Sequence, residues 1–158
     1  MKNEITGMRL RLIVMNFLQF AVWGAYLTSM GTYLFNIGLG AKIGLFYAMQ
    51  GIVSLFMPAV MGIIADRWVP AQKLYGFCHF MAAVFMVAAG WYGCMDGGAV
   101  DFGTLFTFYS LSVAFYMPTL ALTNSVAYTA LDKVKLDPVI AFPPIRIFGT
   151  IGFICSML

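Results

Sequence analysis

The chain has 158 residues, 62% of them hydrophobic and 9% charged, with a formal net charge of +3. Ordinary soluble domains carry about 25% charged and about 45–50% apolar residues, so composition excludes a soluble globular chain and indicates the membrane class. No basic cluster is interleaved with aromatics, which excludes nucleic acid as a partner.

Met1 to Arg11 is a short polar start carrying Lys2, Arg9 and Arg11 against Glu4. Residues 12–35 hold no charge, and a run of that length spans a bilayer as a helix. It is too long and too aromatic for a signal-peptide core, and the expectation is a retained signal anchor. Asn36-Ile37-Gly38-Leu39-Gly40 reads as a turn. A second span covers 43–65, and Asp66-Arg67 with Pro70 marks the next loop. A third covers 74–94 and is broken by Asp96-Gly97-Gly98. The fourth covers 102–131, followed by the most charged loop, Asp132 to Pro138. A fifth begins near Pro143-Pro144 and is cut off at Leu158. No stretch reads as a soluble domain. The expected fold class is all-α, a polytopic membrane protein with four transmembrane helices and part of a fifth.

Charge sets the orientation. The start of the chain and the second and fourth loops hold Lys2, Arg9, Arg11, Arg67, Lys73, Lys133 and Lys135, whereas the first and third loops hold only Lys42. The positive-inside rule places the N-terminus in the cytoplasm. Asp96 and Asp101 then lie outside.

The spans carry polar stripes. Asn16, Gln19, Trp23 and Tyr26 share one face of the first; Tyr47, Gln50, Ser54 and Pro58 do so in the second; Ser112, Tyr116, Thr119 and Thr123 do so in the fourth. Lipid cannot satisfy such groups. They either hydrogen-bond between helices, at roughly 0.6 kcal/mol per contact, or line a shared water-filled cavity. Gly24, Gly31, Gly51, Gly62, Gly149 and Gly152 are expected to permit close helix approach. Pro58 and Pro118 remove backbone hydrogen bonds inside their spans.

The fifth span concentrates the most chemistry. At 100° per residue, Arg146, Gly149, Thr150 and Phe153 share one face, while Ile147, Phe148, Ile151, Ile154 and Cys155 cover the rest. An ionisable residue near a span is a functional hypothesis by default. The alternative is that Arg146, only a few residues past a charged loop, snorkels to the headgroups.

Several chemistries are absent. There is no Gly-rich phosphate loop followed by Lys and no recognisable nucleophile–base motif, so neither ATP-driven work nor an enzyme is indicated, and no cofactor is implied. Cys78, Cys94 and Cys155 lie far apart without a C-x-x-C, which implies neither a metal site nor a disulfide framework. The lone His79 reads as a helix-packing residue. All six acidic residues lie in or beside loops. A proton carrier of the usual Asp/Glu/His type, His79 excepted, would therefore lie beyond Leu158.

Two stretches resemble a known family. Gly62-Ile63-Ile64-Ala65-Asp66-Arg67 is similar to the gating-loop motif of the major facilitator superfamily; the match ends at Arg67, where Trp68-Val69-Pro70 replaces the usual Gly and basic residues. Phe17-Leu18-Gln19-Phe20 with Trp23-Gly24, then Phe56-Met57-Pro58-Ala59, then Tyr116-Met117-Pro118-Thr119-Leu120 with Asn124, then Phe142 to Phe153, resemble the bacterial nucleoside:proton symporter branch of that superfamily. The resemblance covers essentially the whole chain, but only the first four spans and part of the fifth of an expected twelve. It implies a major-facilitator-type bundle in the bacterial inner membrane, working by alternating access, with a nucleoside as substrate and protons as coupling ion. It also implies that Arg146, Thr150 and Phe153 contact the nucleoside, with Gln19, Trp23, Tyr116 and Asn124 as further cavity-lining candidates. A guanidinium can donate to a base carbonyl or ribose hydroxyl, and a phenyl ring offers a stacking face. A facilitator for another polar solute such as a sugar, or a non-transporting membrane scaffold, are the alternative readings.

Overall fold

The computed structural model describes residues 2–95 and 100–158. It contains α1 (Lys2–Asn36), a 3-10 turn at Gly40–Lys42, α2 (Ile43–Arg67), α3 (Ala71–Met95), α4 (Phe102–Lys133) and α5 (Pro138–Met157). No strand occurs among the described residues, and five of the helices are long and apolar enough to cross a membrane. The break expected at Asp96-Gly97-Gly98 lies outside the described residues.

Three helices start earlier than their hydrophobic runs, α3 by only three residues, at Ala71. α1 includes the polar start of the chain; its 35 residues correspond to about 52 Å, against about 30 Å of hydrocarbon. Lys, Arg and Glu are good helix formers, so charge ends the part of the helix that lipid can hold, not the hydrogen-bond ladder. α5 begins at Pro138, five residues before the expected Pro143. Asp137 caps it by accepting a 2.9 Å hydrogen bond from the Val139 amide. Pro138 follows at a first-turn position, where its missing N–H costs nothing.

The ends of α1 and α4 share one local solution. After α1, the Leu39 amide reaches the Leu34 carbonyl at 2.9 Å and the Gly38 amide the Phe35 carbonyl at 3.2 Å. After α4, Leu136 reaches Leu131 at 3.1 Å and Lys135 reaches Asp132 at 2.8 Å. Both are Schellman closures, which place one residue in the left-handed region. That residue is Gly38 (φ 79°) in the first and Lys135 (φ 57°) in the second. α4 opens on Asp101, whose carboxylate accepts from the Thr104 amide at 2.8 Å and hydroxyl at 3.0 Å.

The helices pack as two compact units, one formed by the chain up to Met30 with Thr123–Leu158, the other by Gly31–Leu122. In the first, Leu12 of α1, Ala127, Ala130 and Leu131 of α4, and Ala141, Phe142 and Ile145 of α5 form a buried cluster, with Leu136 packed against it. The small alanines let the three helices close together at the start of α5.

In the second unit, Met61, Leu74, Cys78 and Leu122 form one core. Phe46 is the centre of another, with Phe106 at 5.2 Å and Tyr109 at 4.9 Å between ring centroids. Polar side chains here bond between helices: Gln50 donates to the Tyr109 hydroxyl at 2.6 Å, and Ser112 to the Ala82 carbonyl at 2.7 Å. Ser54, expected on the same stripe as Gln50, is exposed and bonds back to the Gly51 carbonyl at 2.8 Å. Gly31 leaves room for the Tyr47 hydroxyl. Gly51 and Gly62 do not serve close approach: a Cβ added at either would meet nothing within 4 Å.

Candidate functional site

The first unit carries most of the residues singled out from the sequence, and its geometry starts with glycines. A Cβ on Gly152 would run into the backbone of Phe17, whose carbonyl carbon is 2.9 Å away. A Cβ on Gly24 would meet the Ser156 hydroxyl and, at 2.9 Å, the Phe153 carbonyl oxygen. α1 and α5 therefore touch backbone to backbone along these positions, as small residues allow in membrane helices.

This close seam brings aromatic rings and one cation together. The guanidinium carbon of Arg146 lies over the Phe20 ring, 3.8 Å from its centroid, a cation–π contact. Phe20 is buried and meets the indole of Trp23 edge-on at 6.0 Å. Trp23 in turn lies 5.5 Å from Phe153, tilted by 54°. The series Arg146, Phe20, Trp23, Phe153 thus leaves α5, crosses to α1 and returns to α5 two turns later. The Trp23 Nε1 donor is buried without a hydrogen-bond partner.

The direction of Arg146 is informative. Helical side chains lean toward the helix N-terminus, which for α5 is the side of the charged loop at 132–137. Arg146 Nη1 instead lies 2.8 Å from where a Gly149 Cβ would stand, one turn toward the C-terminus. The side chain bends into the span, and Gly149 supplies the space it occupies.

The face predicted for α5 is only partly inward. Gly149 is buried, and Arg146 and Phe153 are half-buried, but Thr150 is exposed. Ile147, Phe148, Ile151, Ile154 and Cys155 are exposed on the other side. Gln19 is buried on α1, and Asn124 is exposed on α4. Tyr116 belongs to the second unit, where it is buried 5.9 Å from the His79 ring. The His79 ring lies 4.4 Å from the Tyr75 ring, tilted by 57°, and its Nδ1 is 3.1 Å from the Tyr75 carbonyl, to which it donates in the tautomer protonated there. Gly62, Asp66 and Arg67 lie in the last turns of α2, with Asp66 and Arg67 exposed. Of the sequence candidates, Trp23 and Phe153 are brought into ring contact, and Arg146 is brought to Phe20. Phe20 lies within a family-like motif but outside the polar stripe. Extending that stripe to the purely apolar Phe20 finds it: 16, 19, 20 and 23 complete one helical face.

A family model described as "Nucleoside H+ symporter" matches residues 6–158. The chain is 42% identical over 150 residues to the xanthosine permease of Escherichia coli (strain K12), covering 94% of this chain and 34% of the permease. It is 40% identical over 154 residues to the nucleoside permease NupG of the same strain, covering 96% of this chain and 35% of the permease. A crystal structure of nucleoside transporter NupG superposes with a TM-score of 0.83 at 39% identity, over 95% of this chain and 36% of that one. The chain thus spans about a third of the length of the curated relatives it matches. With its five apolar helices and this match, it is a multi-pass membrane protein, and it belongs to the nucleoside H+ symporter family.

Proposed function

We propose that this chain is the N-terminal part of a major-facilitator transporter domain that carries nucleosides across the bacterial inner membrane together with protons, by alternating access and without chemical conversion of the solute. The cations of the start of the chain and of the second and fourth loops orient it with the N-terminus in the cytoplasm. Arg146, Thr150 and Phe153 are the nucleoside contacts. Trp23 and Gln19 on α1 and Asn124 on α4 are further cavity-lining residues of the first unit, Tyr116 is a cavity-lining residue of the second, and Gly62, Asp66 and Arg67, in the last turns of α2, are the gating motif. The proton is carried by residues other than these, because every acidic side chain here is in or beside a loop.

One observation carries the site reading: the guanidinium of Arg146 is directed into the span and held against an aromatic ring. In that position its planar donors can meet a base carbonyl or ribose hydroxyl. The nearby Phe153 ring offers a stacking face, and the unpaired indole N–H of Trp23 offers a further donor. A single guanidinium suits a neutral nucleoside better than a nucleotide phosphate.

The test is uptake of radiolabelled uridine and adenosine by cells that lack other nucleoside permeases and express the full-length protein. Arg146→Ala is expected to abolish uptake at normal membrane abundance. Arg146→Lys should also transport poorly, since a point ammonium cannot reproduce the planar fork. Equal uptake by wild type and Arg146→Ala at matched abundance rejects the assignment. Competition by unlabelled sugars, but not nucleosides, would redirect it to a different solute.

A further inference from the structure

The site reading leaves open how a long, flexible arginine is held ready inside a span. Free in lipid or water, its side chain would sample many rotamers and be drawn toward the headgroups. Two features of the structure act against this. The Arg146 guanidinium carbon lies over the Phe20 ring, 3.8 Å from its centroid. A Cβ at position 149 would lie 2.7 Å from Phe20 Cδ2 and 2.8 Å from Arg146 Nη1, so ring and guanidinium meet in space that glycine leaves open and would have to shift to admit a methyl group. Phe20 itself is fixed: it is 7% exposed and has the Trp23 indole against it.

Resting on the reading of Arg146 as a solute contact, we infer that Phe20 is its positioning residue, and that Gly149 is the seat that lets ring and guanidinium meet. The face of the ring holds the cation through its negative quadrupole. A guanidinium carries five N–H donors, and the cation–π contact leaves donors for solute acceptors. Phe20 does not touch the solute in this arrangement. It sets where the donors point and lowers the disorder lost when solute binds, which is preorganisation. The ring also links the cation to the Trp23–Phe153 pair, so that the donor and the stacking surface are fixed by one set of contacts on α1. The plainer alternative is that Phe20 only fills space between two helices, in which case an aliphatic residue would serve equally.

Substitutions in the full-length protein, read by the concentration dependence of uridine uptake, separate these roles. KM does not depend on how much protein reaches the membrane. Phe20→Leu keeps an apolar filler but removes the quadrupole; it is expected to raise KM by about tenfold with maximal rate per transporter within threefold. Phe20→Tyr keeps the ring and is expected to recover a KM within threefold of wild type. Gly149→Ala removes neither partner but inserts a methyl group between them, and should raise KM in the same sense; it serves as the second readout should Phe20→Leu insert poorly. If Phe20→Leu and Gly149→Ala both keep the wild-type KM while Arg146→Ala abolishes uptake, the positioning role is wrong and the site reading survives. If Arg146→Ala transports normally, the site reading fails and takes this inference with it.

Discussion

Gly152→Ala is the most direct challenge to the α1–α5 seam. The added methyl would meet the Phe17 carbonyl oxygen, with the carbonyl carbon at 2.9 Å and the Cα at 3.1 Å. These are backbone atoms of a helix and cannot rotate aside, so the two helices must move apart along the seam. Overpacking of this kind costs about 1–3 kcal/mol. Replacing a helical glycine by alanine returns about 0.5–1 kcal/mol through the unfolded state, so the net loss should be about 0.5–2 kcal/mol. Gly62→Ala is the matched control: it is also within a helix, but its Cβ meets nothing within 4 Å, so only the favourable term applies. Thermal unfolding of the two purified variants of the full-length protein in the same detergent compares them. The midpoint should fall for Gly152→Ala and hold or rise for Gly62→Ala. If the two midpoints move together, or Gly152→Ala is the more stable, the backbone contact between α1 and α5 is refuted.

Two further outcomes concern the helix ends. Lys135 holds the left-handed position of a Schellman closure (φ 57°) that Gly38 holds at the end of α1. Lys135→Gly should therefore stabilise the protein by about 1 kcal/mol, seen as a raised unfolding midpoint that Lys135→Ala does not reproduce. At the start of α4, hydrogen bonds from the Thr104 amide and hydroxyl hold the Asp101 carboxyl below its ordinary range. A folded pKa below the unfolded one gives stability that is complete above the unfolded value, about 4, and is lost as pH falls through the folded value. The stability of wild type relative to Asp101→Asn should thus be constant near neutrality and shrink below about pH 4, as unfolding midpoints across pH would report.

Much of this arrangement is legible in the sequence because it follows from one helix at a time. Spacing of 100° per residue puts Arg146, Gly149 and Phe153 on one side of α5 and the large aliphatic residues on the other, and burial follows that division. Thr150 departs from it because the buried face runs through Phe142, Ile145, Gly149 and Gly152, and position 150 lies 100° round the helix from position 149. What spacing cannot supply is the partner across the seam. Phe20 and Arg146 are far apart in sequence, and only the backbone approach at Gly24 and Gly152 sets which ring meets the cation. The same limit explains Gly51 and Gly62: glycine in a span signals that close approach is possible, not that a neighbour is present. The early starts of α1 and α5 are hidden in the sequence because charge and proline look like boundaries. Charge bounds the apolar part of a helix, and Pro138 behind the Asp137 cap opens one.

The two readings of Arg146 that sequence leaves open differ in direction, and direction is what the structure supplies. A snorkelling arginine near the start of α5 would follow the natural lean of helical side chains toward the charged loop, where water and headgroups solvate it. Here the guanidinium takes the opposite course, lying alongside Gly149 and over Phe20. Turning away from the cheaper solvation requires compensation, and the contacts that provide it are specific: a ring buried for the purpose and a glycine where any side chain would collide. Both belong to helices that touch at their backbones, so the position of the cation follows the seam and not its own loop. Sequence changes at Gly152 or Gly24 should therefore displace Arg146 even though neither glycine faces it, and on the proposed reading they would lower solute uptake.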